Sequence, residues 1–188
     1  MNQGTAFTKF VLENQEIEMG EGLVGVEVGV RDGRNALDLC RFLNIRKLYL
    51  VDPFLPYFDN TRDYTIDDQN KELEKLIKNT ESIFNKIIII RQTSEEALKM
   101  FYDKIFDFVY IDGNHDYENI KTDMGWWDKV KIGGILGGHD YKSAFGEDIG
   151  KVVDEFVKEK NVELHDLGGR IRIPPAGAGG VEWAIIKP

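Results

Sequence analysis

The chain has 188 residues, enough for one domain that buries most of the surface its unfolded form exposes, and it needs no metal or disulfide staple to fold. Its 24 Lys and Arg stand against 33 Asp and Glu, a formal charge of -9 that repels a phosphate backbone, so nucleic acid is not an expected partner. One cysteine, Cys40, excludes an intrachain disulfide and reads as a small buried hydrophobe on a helix.

The opening stretch, MNQGTAFTKFVLENQE, has no apolar core or cleavage-type segment; residues 1–20 read as a helical segment preceding the domain proper. The longest aliphatic run, Ile87 to Ile90, is far too short to span a bilayer, so the expectation is a cytoplasmic protein with no membrane partner. From residue 23 onward, β-rich runs alternate with amphipathic segments, the pattern of an α/β domain with a parallel sheet. The runs are LVGVEVGV (23–30), KLYLVD (47–52), KIIIIRQ (86–92), DFVYID (107–112) and GGILGG (133–138). Between them, Ala36, Leu39, Cys40 and Leu43 form one helical stripe, and Leu73, Leu76, Ile77 and Phe84 a second. Ile120, Met124 and Trp127 form a third, and Ile149, Val152, Val153, Phe156 and Val157 a fourth.

These stripes read as core, and Trp126 and Trp127 as core packing rather than a sugar-stacking platform. The stretch 52–68 is loop-like, aromatic and acidic: either a lid carrying Phe54, Tyr57, Phe58 and Tyr64 or a long surface connection. After residue 160 come VELHDL, RIRI, a Pro-Pro-Ala-Gly-Ala-Gly-Gly loop and VEWAIIKP, with no helix between the last β-like runs, which should therefore pair antiparallel. No linker or second domain interrupts 1–188.

The strongest local feature is 23–43, where an apolar strand ends in Glu27-Val28-Gly29 and runs through Gly33 into a helix. Glycine there allows a tight turn and close approach of a ligand. The second strand ends in Asp52, where a carboxylate can accept hydrogen bonds from both ribose hydroxyls, and the fourth ends in Asp112. Three carboxylates with no Gly-x-Gly-x-x-Gly phosphate cradle argue against a dinucleotide; a cationic sulfonium with an amino-acid tail suits them.

In this order, GVEVGVRDGRNALDL, VDPF and FDFVYIDGNHDYENIKTDMGWWDKVKIGGILGGHDY resemble the class I S-adenosylmethionine-dependent methyltransferases over about residues 20–188. The resemblance implies a Rossmann-like seven-stranded α/β sheet, mostly parallel with an antiparallel last strand and helices on both faces. It also implies S-adenosylmethionine as cofactor. Glu27, Gly29 and Gly33 would then line the methionine end and Asp52 the ribose. Gln92, Thr93 and Ser94 match the family's adenine-side turn, with Asp112 at the neighbouring strand end.

The spacing IDGNHDY followed by GGHDY is similar to the small-molecule O-methyltransferase group, methyltransferase domain 24-like, with relatives that act on catechols, macrolide sugars and in cephalosporin clusters. Several of these hold a divalent cation at positions corresponding to Asp112, His139 and Asp140. This sequence departs from them in having His139 where a carboxylate is usual. Magnesium prefers oxygen ligands, so the imidazole points to manganese or iron, or to no metal with His139 as base. Methyl transfer needs an acceptor positioned in line and relieved of its proton. His139, Asp140 and the reserve base His115 are the candidates, because a histidine near its ordinary pKa of about 6.5 can accept a proton near neutral pH. His165 reads as structural.

The acceptor is expected to be a small molecule or glycan hydroxyl, and self-association stays open. A catalytically silent methyltransferase-like binding module remains a second reading. A nicotinamide-dependent oxidoreductase is a third, disfavoured by the missing glycine fingerprint and by the terminal hairpin.

Overall fold

The computed structural model describes residues 4–15, 21–58, 63–142, 147–168 and 180–188. In chain order the elements are α1 (Ala6–Asn14), β1 (Leu23–Val28), α2 (Arg34–Phe42), β2 (Ile45–Val51), β3 (Tyr57–Phe58), β4 (Asp63–Tyr64), α3 (Ile66–Asn79), β5 (Ile87–Ile90), α4 (Ser94–Leu98), β6 (Phe106–Ile111), α5 (Tyr117–Asp123), β7 (Val130–Gly138), α6 (Glu147–Lys160), β8 (Leu164–Gly168) and β9 (Glu182–Ile186). Thr5 caps α1, and reciprocal Thr65/Asp68 and Thr93/Glu96 capping boxes start α3 and α4.

Seven strands form one sheet in the order β5-β2-β1-β6-β7-β9-β8. Strands β5, β2, β1, β6 and β7 pair in parallel, while β9 inserts between β7 and β8 and is antiparallel to both. The expected late hairpin is therefore present, but its RIRI run, residues 170–173, and most of the Pro/Gly loop lie outside the described residues. Strands covered on both faces must be apolar on both, which is why the central runs are mostly aliphatic and aromatic along their carboxyl-terminal halves.

Phe7 and Val11 of α1, Ala36, Leu39 and Cys40 of α2, and Leu76 of α3 pack on one face. Ala97 of α4, Ile120 of α5, Met124, Trp126 and Trp127 in the 3-10 turn Met124–Lys129, and Ile149, Val152 and Val153 of α6 pack on the other. Three helical stripes thus face the core as expected. The second does so only in part: Ile77 and Phe84 are 46% and 53% exposed. The helix ends at Asn79, where the Thr80 hydroxyl donates to the Leu76 carbonyl (2.7 Å), so Phe84 is not on the same helical face at all.

Residues 52–68 are less irregular than their composition suggests. Tyr57 and Phe58 pair antiparallel with Asp63 and Tyr64, the two tyrosine rings stack at 4.6 Å, and α3 begins at Ile66. Phe54 is buried in the core, whereas Leu55, Tyr57 and Phe58 are exposed. Among the described residues no helix is long and apolar enough to cross a membrane.

Candidate active site

Beyond the carboxyl ends of the parallel strands the backbone ladder continues for one more residue. Gly29 N–H donates to Val51 O (2.9 Å), Asp52 N–H to Ile90 O (3.1 Å), Asp112 N–H to Val28 O (2.8 Å) and His139 N–H to Ile111 O (3.1 Å). The strand-end residues are thereby fixed side by side. Gly29 has φ +81°, and a Cβ there would overlap the carbonyl of Asp112, so only glycine lets the first turn lie against the fourth strand's exit. Gly33, at φ +76°, precedes the first turn of α2.

Glu27 is 1% exposed; its Oε1 accepts a hydrogen bond from the Asn35 amide (3.1 Å), while Oε2 has no hydrogen-bond partner among the described residues. Burial pushes its carboxyl well above the usual range, opposed by the Asn35 bond and reinforced by the charges of Asp112, Asp52 and Asp32. An orphaned buried carboxylate oxygen next to the glycine turn is complementary to an ammonium, so the residues fit the amino-acid end of the expected cofactor.

Asp52 is more committed to the protein than a free ribose ligand. Its Oδ2 accepts from the Val30 and Arg31 N–H groups (3.0 Å each), and its Oδ1 accepts from Phe54 N–H (2.9 Å). The carboxylate ties the β1–α2 turn to the segment after β2, leaving fewer lone pairs for hydroxyls. Asp52→Ala is therefore expected to lower stability by about 1–3 kcal/mol and to weaken cofactor binding as well. Thermal melts with and without S-adenosylmethionine check this; an unchanged apo melting temperature would remove the tying role.

Gln92 and Thr93 line a cavity of about 490 Å³ with Pro53, Leu55, Arg91 and Glu96, between the exits of β2 and β5. Ser94 does not line it. The Ser94 hydroxyl accepts from Trp126 Nε1–H (2.8 Å) and bonds Asp123, a buried acid whose pKa is raised to about 7 mainly by burial.

The strongest convergence lies at the ends of β6 and β7. His139 Nδ1 and His115 Nε2 approach the same Oδ2 of Asp140, at 3.1 and 3.4 Å. Asp140 is 9% exposed and holds φ +60°, a left-handed conformation uncommon outside glycine, asparagine and aspartate. Asp112, His139 and Asp140 each present a ligand atom within 4.8 Å of the others, a spacing that fits one divalent cation. Asp112 opens to solvent at the cleft, but the protein crowding its other sides raises its pKa to about 7. His139 and Arg31 oppose that rise; Asp140 and Glu182 add to it.

His139 departs from the sequence expectation of an ordinary imidazole: the bond to Asp140 and the charges of Asp112, Asp140 and Glu182 outweigh desolvation and raise its pKa to about 9. Its proton is held more tightly than on an ordinary imidazole.

One participant was missed by sequence reasoning. Glu182, 6% exposed on β9, accepts from Phe7 N–H (Oε2, 2.9 Å) and from the Tyr110 hydroxyl (Oε1, 2.9 Å). It anchors α1 by its amino end and adds negative charge beside Asp112 and His139. In the sequence it is one acid in VEWAIIK, indistinguishable from a solvent-facing position of an alternating strand.

Residues 26–141, more than half of the chain, match the family described as methyltransferase domain. The chain belongs to the class I S-adenosylmethionine-dependent methyltransferases. No curated protein matches it. Among solved structures, this methyltransferase is similar to an rRNA methylase from Streptococcus thermophilus (13% identity, TM-score 0.64, covering 96% of this chain and 93% of that one). It is also similar to an O-methyltransferase from Bacillus cereus in complex with SAH (13%, 0.64, 97% and 80%) and a spermidine synthase from Thermotoga maritima (11%, 0.61, 96% and 60%). At these identities the methyltransferase shares their fold; the acceptor has to be argued from its own site.

Proposed function

We propose that this methyltransferase moves a methyl group to a hydroxyl of a small molecule or glycan held beside Asp112, His115, His139 and Asp140. The observation that carries the reading is the convergence of two imidazoles on one Asp140 oxygen next to Asp112, at the strand ends where open α/β sheets take their ligands. The described residues build one seven-stranded sheet with helices on both faces, and a cleft at its rim suits a small acceptor. The single buried cysteine suits a reducing compartment, and we place the reaction in the cytoplasm.

When bound, S-adenosylmethionine supplies a methyl carbon activated by a sulfonium. Glu27 would take its amino group, Asp52 the ribose, and Gln92 and Thr93 the adenine side. For an acceptor hydroxyl to take that methyl group, with the electron pair of the broken S–C bond left on sulfur, its own proton would have to pass to a group of this chain. At neutral pH protonated His139, paired with Asp140, can donate a hydrogen bond to the acceptor oxygen and orient it, so without a cation the base role falls to Asp112 or His115. Alternatively, Asp112, His139 and Asp140 would hold a divalent cation that supplies Lewis acidity to the acceptor hydroxyl, and His139 would give up its proton to do so. Two carboxylates and one imidazole suit manganese or iron better than magnesium.

Calorimetry is expected to give micromolar-scale affinity for S-adenosylmethionine and for its demethylated product. Radiolabelled methyl transfer should then appear with catechol-type or sugar hydroxyls from an acceptor panel, with and without manganese. Absence of cofactor binding to the folded protein would remove the reading at its root; transfer to ribosomal RNA alone would overturn the acceptor class.

A further inference from the structure

His-Asp-Tyr occurs twice, at 115–117 after β6 and at 139–141 after β7. The two histidines turn inward to Asp140, and the two tyrosines turn outward onto consecutive residues of α6. Tyr141 donates its hydroxyl hydrogen to Asp154 Oδ1 (2.7 Å), and Tyr117 donates to Glu155 Oε2 (2.5 Å). Lys151 of α6 lies over the Tyr117 ring at 4.7 Å. On the same helix, a Cβ at Gly150 would stand 2.8 Å from the Tyr141 carbonyl, so glycine allows α6 to rest directly on the second loop's backbone. The helix is itself immobilised through Ile149, Val152 and Val153, each at most 7% exposed.

Both site loops are thus fastened to one rigid element through an aromatic side chain two residues beyond each histidine. We propose that Tyr117 and Tyr141 are positioning residues, and that Asp154 and Glu155 of α6 set the separation of the two loops so that His115 and His139 reach the same carboxylate oxygen. The inference rests on the strand-end site described above, but concerns how that site is held rather than what it methylates. Neither loop can meet this condition alone: Asp140 belongs to the second loop and His115 to the first, and α6 contacts both. A positioning shell of this kind fixes ring orientation without touching the reacting atoms.

The test uses full-length ¹⁵N-labelled protein without cofactor, comparing wild type with Y117F/Y141F. Imidazole ¹⁵N shifts are recorded at one pH, with His165, whose ring packs on Phe10 and which pairs with neither Asp140 nor the two tyrosines, as internal reference. The expected result is that His115 and His139 shifts move toward those of a free imidazole while His165 stays fixed and calorimetric affinity for S-adenosylmethionine is unchanged. Mn²⁺ affinity should fall about 10-fold, the usual scale for loss of an outer-shell contact. D154A/E155A, changing only exposed carboxylates, should reproduce the effect even if the tyrosine pair fails to fold, and D154N/E155Q, which keep an acceptor oxygen, should restore most of the wild-type spectrum. Unchanged His115 and His139 shifts in both the Phe and the Ala pairs, or shifts shared equally by His165, would overturn the proposal. Wild-type protein that binds no Mn²⁺ at all would instead overturn the cation reading, and the imidazole spectra would still decide this one.

Discussion

Replacing Asp140 by alanine should reduce methyl transfer by about 10²–10⁴, the range for loss of an acid–base group, with S-adenosylmethionine affinity nearly unchanged. Asp140 is the only described carboxylate that both imidazoles approach, so its loss unpairs His139, frees His115 and removes one of the three clustered cation ligands at once. The cofactor contacts argued above lie on the exits of β1, β2 and β5 and do not depend on it. His139→Ala should fall in the same range and His115→Ala less far, because His115 stands farther from Asp140 and outside the three-residue cluster. A chelator should reproduce the Asp140→Ala loss if a cation is used. Full turnover by both Asp140→Ala and His139→Ala, with no chelator effect, would place the chemistry elsewhere in the cleft.

The second large effect is expected at Glu27. Its folded pKa lies above the unfolded value near 4.5, so the stability it contributes is present below pH 4.5 and is lost as pH rises toward the folded pKa. Asn35 is its one hydrogen-bond partner among the described residues, and the facing charges of Asp112, Asp52 and Asp32 are all of its own sign. Glu27→Gln should therefore make the cofactor-free protein more stable than wild type at pH 8 and no different near pH 4. The same change should weaken S-adenosylmethionine binding about 10–100-fold, since an amide cannot neutralise a buried ammonium. At a pH where Glu27 is still protonated in the free protein, wild-type binding should release that proton, seen as a calorimetric enthalpy that varies with the buffer's ionisation heat; the Gln variant should lack that contribution. A variant with lower stability at pH 8 and unaltered affinity would show that Glu27 serves the fold and not the ligand.

The sheet was legible because parallel strands buried on both faces leave apolar runs, and because glycine and acid at the end of a run mark its exit. The same logic brought Glu27, Asp52, Asp112, His139 and Asp140 to one rim. Less legible was the fate of each side chain once there. Asp52 spends three hydrogen bonds on backbone, Ser94 turns into the core toward Trp126 and Asp123, and His139 binds its proton more tightly through the adjacent Asp140, helped by Asp112 and Glu182, which lie far from it in the chain. Strand β7 begins at Val130 rather than at the glycines, and the second helical stripe ends early at Thr80; periodicity reports which residues are apolar but not where a cap stops the helix.

The bond from Phe7 N–H to Glu182 joins residues 175 positions apart, and β9 is threaded between β7 and β8. A nascent chain that has emerged as far as β8 has every residue proposed to touch cofactor or acceptor, yet β7 lacks its antiparallel neighbour, α1 lacks its anchor, and the field that raises His139 lacks one of its sources. Closure of the sheet must await β9, which has to pair between two strands already made, a non-local step that is slow relative to the local βα contacts before it. On the ribosome, competence to methylate should therefore arrive in a single late step, after residue 186 has cleared the exit tunnel, rather than accumulating as successive strands emerge.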